Sequence, residues 1–371
     1  MKEQPKISAL LNNPSGDFAF FKRGNTIYLF EGLRPLDMSN SISQNETNWI
    51  HVPQFFHLRY EFLTFDQFRV FESDEKNKGA SFNQEPATES PVPQKKIMDV
   101  DLGSWQPPHF QNYEIQFNHI KELILRSQIR KAVPVVFERS SQSPERRHVF
   151  QMIQNLLFAE NVFCYGLVRG QEGILGGTPE FLFSLSETGL ESLAVAGTQW
   201  EDVSSHPGEW SSRLKEEHQW VIEDLENKLR VLGNLTQEAT EEIQVGFLRH
   251  LKTRIKCQLH SPLRGIKDFY FLIKKLHPTA ALGLSSQQMN WKEMEFWPGQ
   301  EVSRGSFGAP LTFRWSPREA LSLVTIRQIS WNRSGARIGA GGGIVRGSEL
   351  SQEWIELKKK IKYVKFVLGI K

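Results

Sequence analysis

Alternating aromatic and polar positions open the chain. Asp17–Phe21 and Thr26–Glu31 read as short strands joined by a hairpin turn at Lys22–Arg23–Gly24–Asn25, and Phe68–Phe71 as another strand. From Glu72 to Pro93 the pattern lapses into Glu, Lys, Asn, Ser and Pro, the composition of an exposed loop. Beyond it the spacing lengthens to a helical period. Phe117, Ile120, Leu123 and Ile124 share one side of a helix predicted over Tyr113–Gln128. Ala132–Phe137 and Val162–Val168 read as strands on either side of a helix at His148–Leu157. Phe181–Ser184 and Leu190–Val195 form a strand pair across the Glu187–Thr188–Gly189 turn. Over Ser211–Leu232, the recurrence of Leu214, His218, Val221, Leu225 and Leu229 near one side predicts a helix. The C-terminal section repeats the order: strands at Leu321–Ile329 and Ala336–Ala340, a glycine turn, then a helix from Leu350 onward. Together these elements predict a mixed α/β or α+β chain with extensive sheet.

Composition narrows the classes. The 371 residues include 26 Phe and 10 Trp, which read mainly as core material because aromatic rings bury large apolar areas. The net charge of +3 comes from 45 basic and 42 acidic residues with interspersed signs, which gives no case for nucleic acid. No apolar run reaches membrane-spanning length, and the N-terminus lacks the apolar centre of a signal peptide, so a cytoplasmic location is expected. Cys164 and Cys257 are too few for a disulfide framework. A dinucleotide-type glycine loop, a Walker lysine loop, an HExxH helix and a GxSxG elbow are all absent.

Four segments combine reactive side chains with backbone devices. Lys131 stands at the mouth of an apolar strand, where it either snorkels to water or, if buried, serves as a general base. Glu180 follows the turn Gly176–Gly177–Thr178–Pro179, and an acid opposite Lys131 would permit addition and elimination on two faces of one substrate. Glu216 and Glu217 lie in one predicted helix, and Glu353 and Glu356 in another. Glu356 follows Glu353 by three residues and Lys360 follows Glu356 by four, so all three share a helix face. Carboxylates from two helices suit either solvent-facing ion pairs or an oxygen-only Mg²⁺ site. Just before that last helix, Gly341–Gly342–Gly343 permits a tight turn or exposes N–H groups to an anion. Arg327 is a candidate bidentate partner for a carboxylate.

In order along the chain come Lys131–Ala132–Val133, Gly177–Thr178–Pro179–Glu180, Ala196–Gly197–Thr198, Glu217–His218 and His250–Leu251–Lys252–Thr253. They continue with Leu276–His277–Pro278–Thr279, Arg304–Gly305, Ile326–Arg327, Gly341–Gly342–Gly343–Ile344–Val345 and Glu353–Trp354–Ile355–Glu356. The ordered set resembles the chorismate-utilising enzymes, which include isochorismate, salicylate, anthranilate and aminodeoxychorismate synthases. The likeness covers Lys131 to the C-terminus and is weaker before it. It implies an α+β fold of two layered antiparallel β-sheets flanked by helices, as one domain over 1–371 with a less typical portion at 1–110. It further implies Glu217, Glu353 and Glu356 as ligands of Mg²⁺, which would hold the ring carboxylate of chorismate. Thr198 and His277 would line the substrate pocket. Arg327 and the backbone of Gly341 and Gly343 would take the enolpyruvyl carboxylate, with Lys360 adding charge. No membrane is implied, and the chain is expected to be a monomer.

Within the family the resemblance points to isochorismate synthase, which feeds menaquinone or siderophore biosynthesis. By that likeness Lys131 activates water for attack at C2, and Glu180 protonates the departing C4 hydroxyl to give isochorismate. An uncharged amine and a protonated carboxyl are needed, and burial favours both. The helix after Glu217 reads Val221–Ile222–Glu223–Asp224–Leu225–Glu226–Asn227–Lys228, without the Asp-Leu-x-Arg-Asn-Asp signature of the amino-transferring branches. Salicylate synthase is the alternative, followed by aminodeoxychorismate or anthranilate synthase component I and a non-catalytic chorismate-binding homologue. Four positions depart from the family pattern. Gln199 and Val136 stand where arginine is common, Phe307 replaces a frequent tyrosine, and Gly342 replaces alanine.

Overall fold

Strands do occupy Phe18–Arg23 and Thr26–Glu31, joined by a turn in which Gly24 takes φ +57, a backbone region open to glycine. The computed structural model describes residues 16–37, 48–56, 61–72, 97–200, 209–246, 248–286, 289–300 and 303–371. The excursion expected over Glu72–Pro93 lies, beyond Glu72, outside the described residues.

Two antiparallel sheets carry an α+β fold. The nine-stranded sheet runs in the order Gln67–Glu72, Thr26–Glu31, Phe18–Arg23, Phe163–Arg169, Glu172–Thr178, Gln328–Asn332, Gly335–Gly341, Val135–Ser140 and Trp105–Gln106. In the ten-stranded sheet the order is Gly233–Gln237, Leu248–Leu259, Gly189–Trp200, Phe181–Ser186, Glu319–Val324, Pro310–Ser316, Trp49–His51, Phe62–Thr64 and Arg34–Pro35. Its remaining strand, Glu241–Val245, also pairs with Leu248–Leu259. The inner faces meet through Phe21 and Phe30 of the first sheet and Phe313 of the second, with ring centroids 5.0 and 5.2 Å apart. Such aromatic pairs contribute about 0.5–1.5 kcal/mol each beyond their buried area.

Helices α1 (Phe110–Leu125), α2 (Arg146–Leu156), α3 (Ser212–Leu229), α4 (Ile266–Leu276) and α5 (Leu350–Leu368) flank the sheets. The side predicted for α3 is the side it buries: Leu214, His218, Val221, Leu225 and Leu229, with Ile222 beside them. Ser211 caps it by accepting from the Leu214 amide. The helix stops at Leu229 rather than Leu232 because Gly233 opens a strand on Leu248–Leu259, where a Cβ would collide with the Gln258 carbonyl. None of the described helices is long and apolar enough to cross a membrane.

Two expected strands are each divided. Leu321–Ile329 splits into Glu319–Val324 in one sheet and Gln328–Asn332 in the other, with Thr325–Arg327 as the passage between them. Ala132–Phe137 splits as well. Lys131–Ala132 pairs with Leu284–Ser285, and the chain joins the nine-stranded sheet only at Val135, after Pro134. Proline has no N–H to donate to a ladder, which suits it to this break.

Candidate active site

The passages between sheets place the reactive groups. Pro179 and Glu180 connect Glu172–Thr178 of the first sheet to Phe181–Ser186 of the second, just as Thr325–Arg327 connects the second back to the first. The two crossings are tied together: the Val324 amide donates to the Glu180 carbonyl (3.2 Å), and the Gly177 amide to the Arg327 carbonyl (3.3 Å). Arg327 takes φ +53, a left-handed conformation that a non-glycine residue rarely adopts. The neighbouring cavity is lined by Lys131, Glu180, Thr198, Glu217 and Arg327, and further by Gly341, Gly343, Glu353, Glu356 and Lys360.

Lys131 does not snorkel. It is 1% exposed, and its Nζ lies 2.8 Å from Glu217 Oε1. Gly343 allows this approach, because a Cβ there would collide with both Glu217 Oε1 and Lys131 Cε. Reciprocal backbone bonds between Ala132 and Ile344 hold the glycine turn against the Lys131 segment. Glu180 is 2% exposed, and burial pushes its carboxyl up to about 8. The charge on Lys131 and a hydrogen bond from the Thr279 hydroxyl (3.5 Å) pull the other way without cancelling the desolvation. At neutral pH Glu180 therefore holds its proton.

The remaining carboxylates are crowded. Glu353 and Glu356 project from α5 and Glu217 from α3. Glu353 is raised well above the usual carboxylate range, first by burial and then by Glu356. Arg213 Nη1 stands 3.2 Å from Glu353 Oε1 but does not outweigh these effects. Among the described residues no three His, Cys, Asp or Glu side chains converge into a group that could hold a metal. Instead each carboxylate faces a cation: Glu217 pairs with Lys131, Glu353 with Arg213, and Glu356 with Lys360 at 2.6 Å. The donor chemistry nevertheless suits a hard divalent cation. The set is all carboxylate oxygen, and its members repel one another.

Arg327 and Lys360 bring positive charge to the same cavity. Arg327 Nη2 donates to His250 Nε2 (3.2 Å), and the other ring nitrogen of His250 faces the Gly197 carbonyl at 3.1 Å. These partners assign the neutral tautomer with the proton on Nδ1. Burial, with Arg327 and Lys360 nearby, holds His250 well below its ordinary value and therefore uncharged. Among the described residues Arg327 Nη1 is buried without a hydrogen-bond partner, which leaves a desolvated donor for an incoming oxygen. Lys360 Nζ donates to the Gly341 carbonyl (2.9 Å), fixing α5 to the glycine turn. Thr198 follows a bulge at Gly197 (φ +72), and its hydroxyl lies 3.4 Å from His250 Nδ1.

His277 is placed differently from the expectation. It is not among the cavity-lining residues. Its Nε2 meets the Phe55 carbonyl at 2.9 Å, and its ring packs edge-on against Phe55 and Trp291. It sits two residues before Thr279, the hydroxyl donor to Glu180, so its place is behind that partner. His250 and Arg213 had no role assigned from the sequence. Arg213 precedes Glu217 by four residues, a spacing that puts both on one helix face. Of the departures, Phe307 lines the cavity and packs edge-on against Phe137, while Val136 is buried in the core. Gln199 accepts from Arg249 (3.4 Å) and donates to the Glu209 carbonyl (3.2 Å).

The sequence profile described as "Chorismate binding enzyme" matches residues 52–369. The chain belongs to the chorismate binding enzyme family. Among curated members, it is 28% identical over 215 residues to the isochorismate synthase MenF of Haemophilus influenzae, covering 54% of this chain and 48% of that one. It is 24% identical over 217 residues to anthranilate synthase component 1 of Saccharolobus solfataricus, covering 56% and 51%. The chain spans about half the length of the curated relatives it matches. The structure of MenF, the menaquinone-specific isochorismate synthase of Escherichia coli, superimposes with a TM-score of 0.77 at 16% identity, over 99% of this chain and 92% of the other. This chorismate binding enzyme thus has the family fold throughout the described residues.

His250→Ala removes the acceptor that orients Arg327. A hydrogen bond to a charged group is worth about 1.5–3 kcal/mol, so apparent substrate affinity should fall about tenfold or more, with a smaller effect on kcat. Steady-state kinetics separate the two, and His250→Gln should recover part of the loss. An unchanged KM in the alanine variant rejects the positioning role.

Proposed function

We propose that the protein is a magnesium-dependent isochorismate synthase acting on chorismate. The observation that supports this reading most is the placement, in one cavity, of a buried lysine, Lys131, with a Glu180 carboxyl held protonated to about pH 8. Lys131, as the amine, removes a proton from water as its oxygen bonds to C2 of chorismate. The ring double bonds shift, the C4–oxygen bond breaks, and Glu180 gives its proton to the departing hydroxyl. One water enters and one leaves, so the product is an isomer, with no net oxidation or reduction.

Arg327 would take the enolpyruvyl carboxylate through its unpartnered Nη1, with the backbone of Gly341 and Gly343 alongside and Lys360 adding positive charge. Thr198 would contact the substrate from the bulge. Glu217, Glu353 and Glu356 would hold Mg²⁺, which when bound supplies positive charge for the ring carboxylate. The cavity holds about 90 Å³, below the roughly 300–1,000 Å³ of ordinary ligand pockets. Entry of substrate and metal would exchange the Lys131–Glu217 and Lys360–Glu356 pairs for contacts with the newcomers.

Purified protein incubated with chorismate and Mg²⁺, with and without ammonium, tests the reading when the products are identified. Isochorismate alone is expected. Salicylate with pyruvate would select a synthase that goes on to eliminate pyruvate, and an ammonium-dependent amino product would select the aminating branch. Binding without any product would mark a non-catalytic homologue.

A further inference from the structure

The chain that leaves α4 touches both groups to which proton transfer is assigned. The Thr279 hydroxyl donates to Glu180 Oε1 (3.5 Å), and beyond it Leu284–Ser285 pairs with Lys131–Ala132. Between these contacts the Leu282 and Gly283 amides both donate to the Thr279 carbonyl, at 3.0 and 2.9 Å. The Gly283 carbonyl accepts from the Val133 amide at 3.1 Å. The segment is a short hydrogen-bonded link from the acid to the base, and the place of Thr279 along it sets where the acid is held.

That place is fixed from α3. Pro278 cannot continue α4, because it has no N–H and its ring obstructs the preceding turn. The carbonyls of Leu276 and Pro278 therefore need donors from outside the helix. Lys228 supplies both, at 3.3 and 2.7 Å, and also donates to Asp224 Oδ2 at 2.8 Å, so the ammonium's three N–H groups all have acceptors. Asp224 Oδ2 in turn accepts from the Ala280 amide at 2.9 Å. One ion pair thus grips the chain on both sides of Thr279, and neither of its members lines the cavity. Asp224 follows Glu217 by seven residues and Lys228 follows it by eleven, which keeps all three on one face of α3. The same helix holds Lys131 through Glu217 and Thr279 through the ion pair.

We propose that Asp224 and Lys228 are positioning residues for the proton-transfer pair: anchoring residues 276–280 to α3, they keep the Thr279 hydroxyl on Glu180 and set the span between Glu180 and Lys131. This rests on the roles proposed above for Glu180 and Lys131. The anchor acts through Thr279 and touches no substrate.

The test uses the full chain without metal and follows the infrared band of the protonated Glu180 carboxyl, recognised by its loss in Glu180→Gln. In the parent the band should fade as pH rises through about 8. The Thr279 hydrogen bond favours the ionised form, so Thr279→Val should move that midpoint up and gives the full size of the effect. Lys228→Met and Asp224→Ala, checked by circular dichroism, should each reproduce part of the shift, whereas Lys228→Arg, which keeps the donors, should stay nearer the parent. Lys131, whose charge also acts on Glu180, is unaltered in all of them. If Lys228→Met fails to fold, Asp224→Ala decides alone. With chorismate and Mg²⁺ the same variants should lose about ten- to hundredfold in kcat with KM nearly unchanged, since misplacing a reacting group by about 1 Å can cost about 10²-fold. Parent-like midpoints in the folded variants overturn the proposal, and so does a loss confined to KM. A protein that shows the shifts but makes no isochorismate would refute the reaction proposed above and leave the anchor on Glu180 standing.

Discussion

Alanine at position 131 is expected to slow turnover by about 10²–10⁴-fold, the usual effect of losing positioned proton transfer. Lys131 is 1% exposed and lies at the cavity, so its replacement removes the lysine whose charge acts on Glu180. Chorismate should still bind through Arg327, which separates loss of chemistry from loss of affinity. Glu180→Gln keeps the side chain's size but carries no transferable proton, and it should slow the same step. Its pH dependence makes the test sharper. The carboxyl is raised to about 8, so an acid role predicts a rate that holds below that pH and declines as pH rises through it. The residual rate of the glutamine variant should lack this decline. Stability follows the same group. A folded value above the ordinary 4.5 means that the contribution is complete below about 4.5 and is lost as pH rises towards 8. Thermal unfolding of Glu180→Gln should therefore change less over that interval than the parent's. Turnover in H₂¹⁸O supplies the remaining check: isochorismate without solvent oxygen at C2 would rule out water attack.

The second large effect concerns the crowded carboxylates. Glu217→Ala and Glu356→Ala should each reduce Mg²⁺ affinity more than tenfold and abolish turnover at limiting Mg²⁺, a proposal that rests on the oxygen-only set from α3 and α5. Binding to the folded state raises stability by mass action, so Mg²⁺ should raise the parent's unfolding temperature and leave the variants' nearly unchanged. That readout does not depend on catalysis. Each variant also strands a lysine, because Glu217 pairs with Lys131 and Glu356 with Lys360. Some loss of stability is expected even without metal, and more in Glu217→Ala, whose partner is the more deeply buried. Parent-like Mg²⁺ titration in both variants would remove the metal assignment.

What could be read from the sequence depended on whether a pattern had one cause. The buried side of α3 was legible because a single helical period, from Leu214 to Leu229, runs without interruption. The shared face of Glu353, Glu356 and Lys360 follows from helix spacing alone. By contrast, Leu321–Ile329 reads as one strand because both sheets bury its residues, and a change of sheet leaves the hydrophobic pattern intact. The same continuity concealed the break at Val133–Pro134. His250 stood within a recognised motif, but its link to Arg327 joins residues 77 apart, a pairing no local spacing could reveal. His277 was placed in the pocket for its motif, whereas aromatic packing turns it towards the Phe55 carbonyl.

The two crossings carry a consequence for how this enzyme tolerates change. Glu180 and Arg327 ride on the joints of the sandwich, and direct backbone bonds couple those joints. A shift in the angle between the sheets is therefore also a shift in the span between the proposed proton donor and the proposed carboxylate clamp. Substitutions that re-pack Phe21, Phe30 or Phe313, far from any ligand, would register first as altered fit and only later as unfolding. Ligand affinity in this architecture would work as a strain gauge for the aromatic interior.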